Sequence, residues 1–312
     1  MGSLEELYPL PSVSYTELLH DDRDTRASAS AELIKALSSY GACRIRDHTV
    51  PQGIIDKCFA KSSGFFERPL EDKLVDYANS GATSKSRFVP YASEKIRGMT
   101  HLDETLEFRY GVYELGRNWS VPGNELVNAS KDMHEECSRI HVNLLECLST
   151  NLELPQSLNS IHSKRNSFFA PYYYYFEDDK DTTTLRVPPH IDPTTMLFCF
   201  QDSHAGLNVA DMSGFTGNIS TTAVQDTARF VPANCKPGEF LLLAGHILRR
   251  LINEVKHSVH FVERPLGSSG YHLNYWIIPD LDTNCDFGEK KEDVAEYLAR
   301  VFPAPLRNDQ GS

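Results

Sequence analysis

The sequence contains no apolar stretch long enough to cross a bilayer. It also lacks the usual signs of a thiol framework. Its seven cysteines, at 43, 58, 137, 147, 199, 235 and 285, form an odd set with no Cys-x-x-Cys spacing. Several sit in apolar company, as in Leu197-Phe198-Cys199-Phe200, which reads as buried reduced thiols rather than disulfides or a zinc site. Basic charge is in deficit, with 31 Lys and Arg against 43 Asp and Glu, a net charge of -12. Such a surface repels a duplex and an anionic membrane, so neither nucleic acid nor lipid is an expected partner; a small molecule is. Met1 to Tyr8 carries Glu5 and Glu6 and has no basic start leading into an apolar run, so no signal peptide is expected, and the myristoylation pattern fails at Glu6. The expected compartment is the cytoplasm and the expected state a monomer. The sequons at Asn118, Asn128 and Asn218 then read as accidental. Neither an internal repeat nor a low-complexity tract is present.

What remains is an ordinary globular composition, 40% hydrophobic and 24% charged, over 312 residues. A β barrel with helical decoration reaches this length as one unit. In the first third, Leu33, Ile34 and Leu37 make a helical stripe over 29–39, ended by Gly41, and 42–46 alternates as a strand. Pro51 opens a helix through Ile54, Ile55, Cys58 and Phe59. Residues 76–128 read as loop-rich. The pattern Met133, Cys137, Ile140, Leu144, Leu148 predicts a long helix over 131–154 whose apolar face packs on a sheet. Six short strands follow, at 168–176, 196–200, 207–209, 240–243, 259–262 and 273–278, and a last helix over 290–302. The expected fold is therefore α+β, a double-sheet β core with helices before and after it. Residues 1–128 would pack on a core of 129–312 to make one structural unit.

His-x-Asp is a metal-ligand spacing, because residues i and i+2 of an extended segment point the same way. It occurs at His20/Asp22, His101/Asp103 and His190/Asp192. The first pair precedes a helix and reads as capping groups. The second lies in irregular chain. Only His190-Ile191-Asp192 falls within the strand-rich part. Two imidazoles and one carboxylate on one face of an octahedral ion leave three positions open, which suits a non-haem Fe(II) oxygenase. The second imidazole would come from His246, His257 or His260.

Several longer segments resemble one family. Tyr40 to His48 is similar to its "eyGFF.v.nHG", and Phe65 to Lys73 to its "FF.lP.eeK". His190-Ile191-Asp192-Pro193 through Gln201-Asp202 resembles "HtDpg.lTlLlQD", and Gly206 to Val209 resembles "GLqV". Pro237-Gly238-Glu239-Phe240 through Ile252-Asn253 resembles "PGaFvvNiGD.LqrlTN". The family is that of the isopenicillin N synthase-like Fe(II)/2-oxoglutarate-dependent oxygenases, and the resemblance covers nearly the whole chain. It implies a double-stranded β-helix, or jelly roll, with Fe(II), 2-oxoglutarate and O2 as cofactor and co-substrates. Its register puts His246 at the Asp of "GD" and makes His260, in Ser258-Val259-His260, the distal ligand, with a surface loop at 212–228 lengthening the gap from Asp192.

The resemblance also exposes a departure. The family's Arg-x-Ser pair, which anchors the far carboxylate of 2-oxoglutarate, falls on Gly270 and His272. Another group must replace the arginine, with His272 the nearest in place, or the co-substrate differs. Tyr175 and Tyr173 align with the family's co-substrate tyrosine and its preceding asparagine, and are expected on the barrel interior. Arg186 and Phe168 are candidate substrate contacts, with Phe88, Tyr91 and Phe169 as further lining. The activity implied is oxidation of a C–H bond of a small, specialised metabolite by hydroxylation, desaturation or ring rearrangement. An iron oxidase of the same fold that uses no 2-oxoglutarate, and a non-catalytic jelly-roll binding protein, are the alternatives.

Overall fold

A computed structural model describes residues 8–80, 87–90, 95–96, 99–100, 102–109, 119–175, 185–202, 206–217, 220–263, 269–286 and 291–301. A short strand β1 (Ser12–Ser14) runs into helix α1 (Tyr15–Leu18), followed by α2 (Arg23–Tyr40), β2 (Ala42–Arg46), α3 (Gln52–Phe66) and α4 (Leu70–Ser80). Asp22 caps α2 by accepting from the Thr25 amide at 2.8 Å, the capping role its position suggested. Gly41 ends the same helix in the left-handed region at φ 64°. A Cβ there would stand 2.6 Å from the His257 backbone, so the helix terminus and the segment before the distal histidine meet at a residue with no side chain.

Where loops were expected, the chain forms β3 (Arg87–Val89), β4 (Lys95–Ile96), β5 (Met99–Thr100) and β6 (Glu104–Arg109). Helix α5 (Val121–Asn151) begins ten residues before its apolar periodicity becomes evident, because Ser120 accepts from the Gly123 amide and Pro122 occupies the first turn. A 3₁₀ turn at Leu158–Ile161 leads to β7 (Phe168–Tyr174), β8 (Val187–His190), β9 (Met196–Gln201) and β10 (Leu207–Ala210). Then come α6 (Thr221–Thr227), β11 (Phe230–Pro232), β12 (Phe240–Ala244), α7 (His246–Leu251), β13 (His260–Val262), β14 (Gly270–Ile277), β15 (Asn284–Asp286), β16 (Lys291–Asp293) and α8 (Val294–Val301).

Two sheets face each other. The larger runs β1-β2-β12-β9-β14-β7-β6-β3 and the smaller β11-β10-β13-β8. Between them lies an apolar layer from both sheets, including Tyr174, Val187, Leu197, Cys199, Val209, Leu241, Leu243 and Val262. This is the jelly-roll interior. The other face of the large sheet carries Phe169, Tyr173, Phe198, Phe200, Leu242, Leu273 and Tyr275, packed under Leu33 and Leu37 of α2, Phe65 of α3 and Met133, Cys137, Ile140 and Leu144 of α5. A third layer joins Phe168, Ala170 and Ile278 to Ile247 of α7 and to Val294, Tyr297 and Leu298 of α8.

Three sequence expectations are corrected. The stretch 212–228 is not an open surface loop: α6 lies in it, with Met212 and Val224 buried beside Val259. His246, which the family register puts at the Asp of "GD" and which was one of three candidate distal histidines, opens a helix instead. β8 was not foreseen because its sequence is Val-Pro-Pro-His; proline is tolerated there because β8 is the edge of the small sheet. Cys43, Cys58, Cys137, Cys147, Cys199 and Cys235 are free thiols, and burial pushes that of Cys43 up to about 12.

Candidate metal centre and co-substrate pocket

The site forms where β8 meets β13. These strands pair antiparallel with His190 directly opposite His260, and the register shifts between His260 and Val262. Two imidazoles therefore stand side by side on the interior, their ring centroids 4.2 Å apart. Asp192 lies just past the end of β8, where the chain turns towards β9. Its carbonyl accepts from the His246 amide at 2.8 Å, and Thr194 packs on Gly245 so closely that a Cβ there would stand 2.1 Å from the Thr194 oxygen. That contact holds the turn against the start of α7.

His190 Nδ1 lies 2.9 Å from the Pro188 carbonyl and His260 Nδ1 lies 3.3 Å from the Ser258 carbonyl. With Nδ1–H donating to those carbonyls, both Nε2 lone pairs are left for an ion. The Nε2 atoms approach Asp192 at 3.4 Å (His190, to Oδ1) and 3.6 Å (His260, to Oδ2), and the three ligand atoms lie within 4.8 Å of one another. Ligands bonded to an ion at about 2.1 Å are held roughly 3 to 4 Å apart, so both histidine–aspartate separations suit a shared metal. Burial pushes His260 down to about 4, with the neighbouring His190 adding to the shift, so the ring is neutral and able to ligate. Of the rival distal histidines, His246 pairs through Nδ1 with the Tyr297 hydroxyl at 2.7 Å, and His257 is buried 6.2 Å from the His246 ring; neither joins the cluster.

The tyrosines of β7 need a correction. Tyr173 lies in the layer under the helices, stacked on Phe66, and Tyr175 packs against the same layer while accepting from Lys73 Nζ at 2.8 Å. Neither faces the interior. The interior residues are Tyr174, within the layer between the sheets, and Tyr172 beside it. The expected register is off by one residue. On β14 the same face carries His272, whose ring meets Tyr174 edge-on at 4.8 Å, then Asn274 and Trp276. By alternation with Leu197 and Cys199, Gln201 shares that face. Gln201 Nε2, Asn274 Oδ1 and Trp276 Nε1 are buried and find no hydrogen-bonding partner among the described residues. Gln201, Asn274, Trp276 and Tyr174 were all missed from the sequence; Asn274, a polar residue in an apolar strand, carried the one usable signal.

The other candidates scatter. Phe168 lies flat against Trp276 with centroids 5.6 Å apart, under α8, and the Arg109 guanidinium covers it at 4.0 Å. Phe88 and Phe169 belong to the helix-side layer and do not line the interior. Tyr91 and His101 are outside the described residues, while Asp103 is buried beside Tyr174. Arg186 is fully buried just before β8.

A jelly roll with two histidines and one carboxylate converging between its sheets defines a non-haem metal-dependent oxygenase. Residues 10–128 match the family described as "non-haem dioxygenase in morphine synthesis N-terminal". A proline hydroxylase from Petromyces alliaceus is 25% identical over 313 residues, 96% of this chain and 92% of the relative. A 2-oxoglutarate-dependent dioxygenase from Dothideomycetidae sp. (strain 11243) is 26% identical, over 94% of this chain and 90% of the relative. A full-length Neurospora crassa protein, solved as a crystal structure in complex with alpha-KG, shares the fold at a TM-score of 0.77 and 17% identity, covering 95% of this chain and 96% of that one. The chain is thus similar over nearly its whole length to 2-oxoglutarate-dependent dioxygenases, and its N-terminal part matches the non-haem dioxygenase model. It is accordingly an oxidoreductase that uses Fe(II), 2-oxoglutarate and O2. Among the described residues no helix is long and apolar enough to cross a membrane.

Proposed function

We propose that His190, Asp192 and His260 hold Fe(II), and that the chain uses it to oxidise a C–H bond of a small, polar, specialised metabolite. The observation that carries this is the approach of two Nε2 atoms to one buried carboxylate across the β8–β13 seam. Bound there, Fe(II) would couple O2 to the oxidative decarboxylation of 2-oxoglutarate. In a hydroxylation one oxygen atom enters the substrate as C–OH and the other enters succinate, while CO2 leaves.

The chain's own residues would prepare that chemistry. The Pro188 and Ser258 carbonyls fix the tautomer of the two rings and aim them. Tyr174 and His272 offer polar hydrogens on the interior face for the 2-oxo acid. The layer of Val187, Leu197, Val209, Leu241, Leu243 and Val262 excludes water and strengthens every polar contact inside. Asn274 and Trp276 would meet polar edges of a substrate, since a buried acceptor and donor without partners are costly until a ligand supplies them.

The test is metal analysis of protein purified without oxygen, followed by O2-uptake screening with small aromatic, terpenoid and amino-acid-derived metabolites. One equivalent of Fe(II) and succinate formed in proportion to substrate-dependent O2 uptake are expected. Absence of stoichiometric metal binding, or undiminished binding in His260→Ala, would overturn the assignment. Substrate oxidation without succinate would instead mean an oxidase that draws its electrons from the substrate.

A further inference from the structure

The three candidate ligands are not held alike. His190 ends β8 and His260 opens β13, and each is fixed by standing opposite the other in the strand ladder. Asp192 has no such frame, because residues 191–195 lie between β8 and β9 and belong to no strand. Where its carboxylate points depends on what grips that turn. On one side the grip is backbone from the start of α7. The amides of Gly245, His246 and Ile247 donate to the carbonyls of Thr195, Asp192 and Thr194, at 3.0, 2.8 and 3.0 Å. On the other side, Thr195 N donates to the Ile277 carbonyl at 2.9 Å, where β14 ends.

A side chain adds a further hold on that second side. His162 Nε2 lies 2.9 Å from Thr195 Oγ1, and His162 Nδ1 lies 2.7 Å from the Leu158 carbonyl. A carbonyl can only accept, so Nδ1 carries the hydrogen and Nε2 of the neutral ring accepts from the Thr195 hydroxyl. Burial, opposed by the Leu158 carbonyl and by Asp280, holds this imidazole below its ordinary value and so in the neutral form. Thr195 is fully buried, which cuts its hydroxyl off from solvent and makes the bond costly to lose.

His162 is itself firmly placed. It follows the 3₁₀ turn Leu158–Ile161, where the Leu158 amide donates to Ser149 Oγ at 2.9 Å and the Asn159 side chain to the Val142 carbonyl at 3.0 Å, both on α5. Just beyond it, the buried Asp280 carboxylate accepts from the Ser163 amide, the Ser163 hydroxyl and the Lys164 amide, at 3.2, 2.7 and 2.7 Å. The Asp280 amide donates back to the Ile161 carbonyl at 2.6 Å. Asp280 follows β14, the strand whose Ile277 already holds Thr195. The histidine and the turn it touches are thus tied to the same strand end.

We propose that His162 is a positioning residue for the metal: through Thr195 it fixes the turn that aims the Asp192 carboxylate between the two histidine rings. The assignment rests on the function proposed above. The contacts to α7 come from three consecutive residues on one side, and the His162 bond closes the opposite side.

Anaerobic calorimetric titration with Fe(II), together with the visible absorption of the Co(II)-loaded protein, tests this. His162→Phe keeps a ring and removes the acceptor. It is expected to weaken Fe(II) roughly tenfold and to alter the Co(II) spectrum, which reports ligand geometry. His162→Gln, whose side-chain oxygen can stand near the place of Nε2, should recover most of both. Thr195→Val removes the hydroxyl from the other end and should match His162→Phe. The double variant should lose no more than either single one, because a single bond is at stake. A merely structural role gives a different pattern. If His162→Phe lowers the melting temperature of the metal-free protein but leaves Fe(II) affinity and the Co(II) spectrum as in the wild type, the assignment is overturned. Losses that add in the double variant overturn it too. Should His162→Phe not fold, Thr195→Val decides by the same two readouts. Wild-type protein that binds neither ion would instead sink the functional reading, and this assignment with it.

Discussion

At the scale of single residues, the candidate site depends on three side chains and on a face of β7. Replacing Asp192 with Ala removes the carboxylate between the two rings; metal content and succinate formation should both fall to background, read by metal analysis and product assay. The tyrosines make a sharper contrast. Tyr174→Phe deletes an interior hydroxyl beside His272 and should weaken 2-oxoglutarate binding about fivefold to tenfold, the worth of one hydrogen bond. Tyr175→Phe, on the helix side, should leave that affinity unchanged and lower thermal stability through the Lys73–Glu104 pair it supports. Sequence reading reached His190 and Asp192 because a His-x-Asp before an apolar strand is a local pattern, whereas His260 was singled out from His246 and His257 only by the family resemblance, since the partner strand is distant in the chain. It chose the wrong tyrosines for an equally local reason. Tyr172 to Tyr175 are alike, so the run has no apolar–polar contrast from which to read which residues point inward. Arg186 was singled out as a cation near His190, but its burial could not be read from Leu185-Arg186-Val187.

At the scale of elements, the turn from β8 to β9 and the first turn of α7 brace each other across Gly245. Gly245→Ala forces a Cβ into the Thr194 backbone and must displace one of the two. Metal affinity should drop about 10- to 100-fold, as it does when a ligand's support is disturbed, while the circular dichroism of the fold persists. Strands whose sequences are apolar, such as Met196–Gln201 and Phe240–Ala244, were legible to within a residue because burial on both faces leaves a continuous apolar run. Helices were legible as faces but not as lengths: α2 and α5 both start earlier than their stripes, where caps at Asp22 and Ser120 set the boundary. β3 and β6 escaped notice altogether, since they gain their identity only by extending the large sheet beyond β7.

For the molecule as a whole, buried histidines set its response to acid. Burial pushes His134 down to about 4, His141 to about 3 and His257 to about 4, so each is neutral in the fold. The unfolded chain, with ordinary imidazoles, takes up these protons first. Stability is therefore complete above about pH 6.5 and declines as pH falls towards the folded values, by about 1.4 kcal/mol per histidine per pH unit. Urea denaturation at stepped pH should show the midpoint falling steeply between about pH 6.5 and about pH 4. That the chain would form helices around a double sheet was evident from its change of periodicity; that β1 and β2 join the large sheet beside β12 was not, because a strand's partner is decided by distant residues.

β8 is short and proline-bearing and, among the described residues, has a strand neighbour on one side only, so its grip on the barrel is slight. An ion clasped by His190, His260 and Asp192 would act as a rivet at that seam. Stripped of iron, the protein should be clipped by a protease around 185–195 ahead of other sites, and loading with Fe(II) or a redox-inert surrogate should protect it. Iron supply would then govern how long the enzyme survives as well as how fast it turns over.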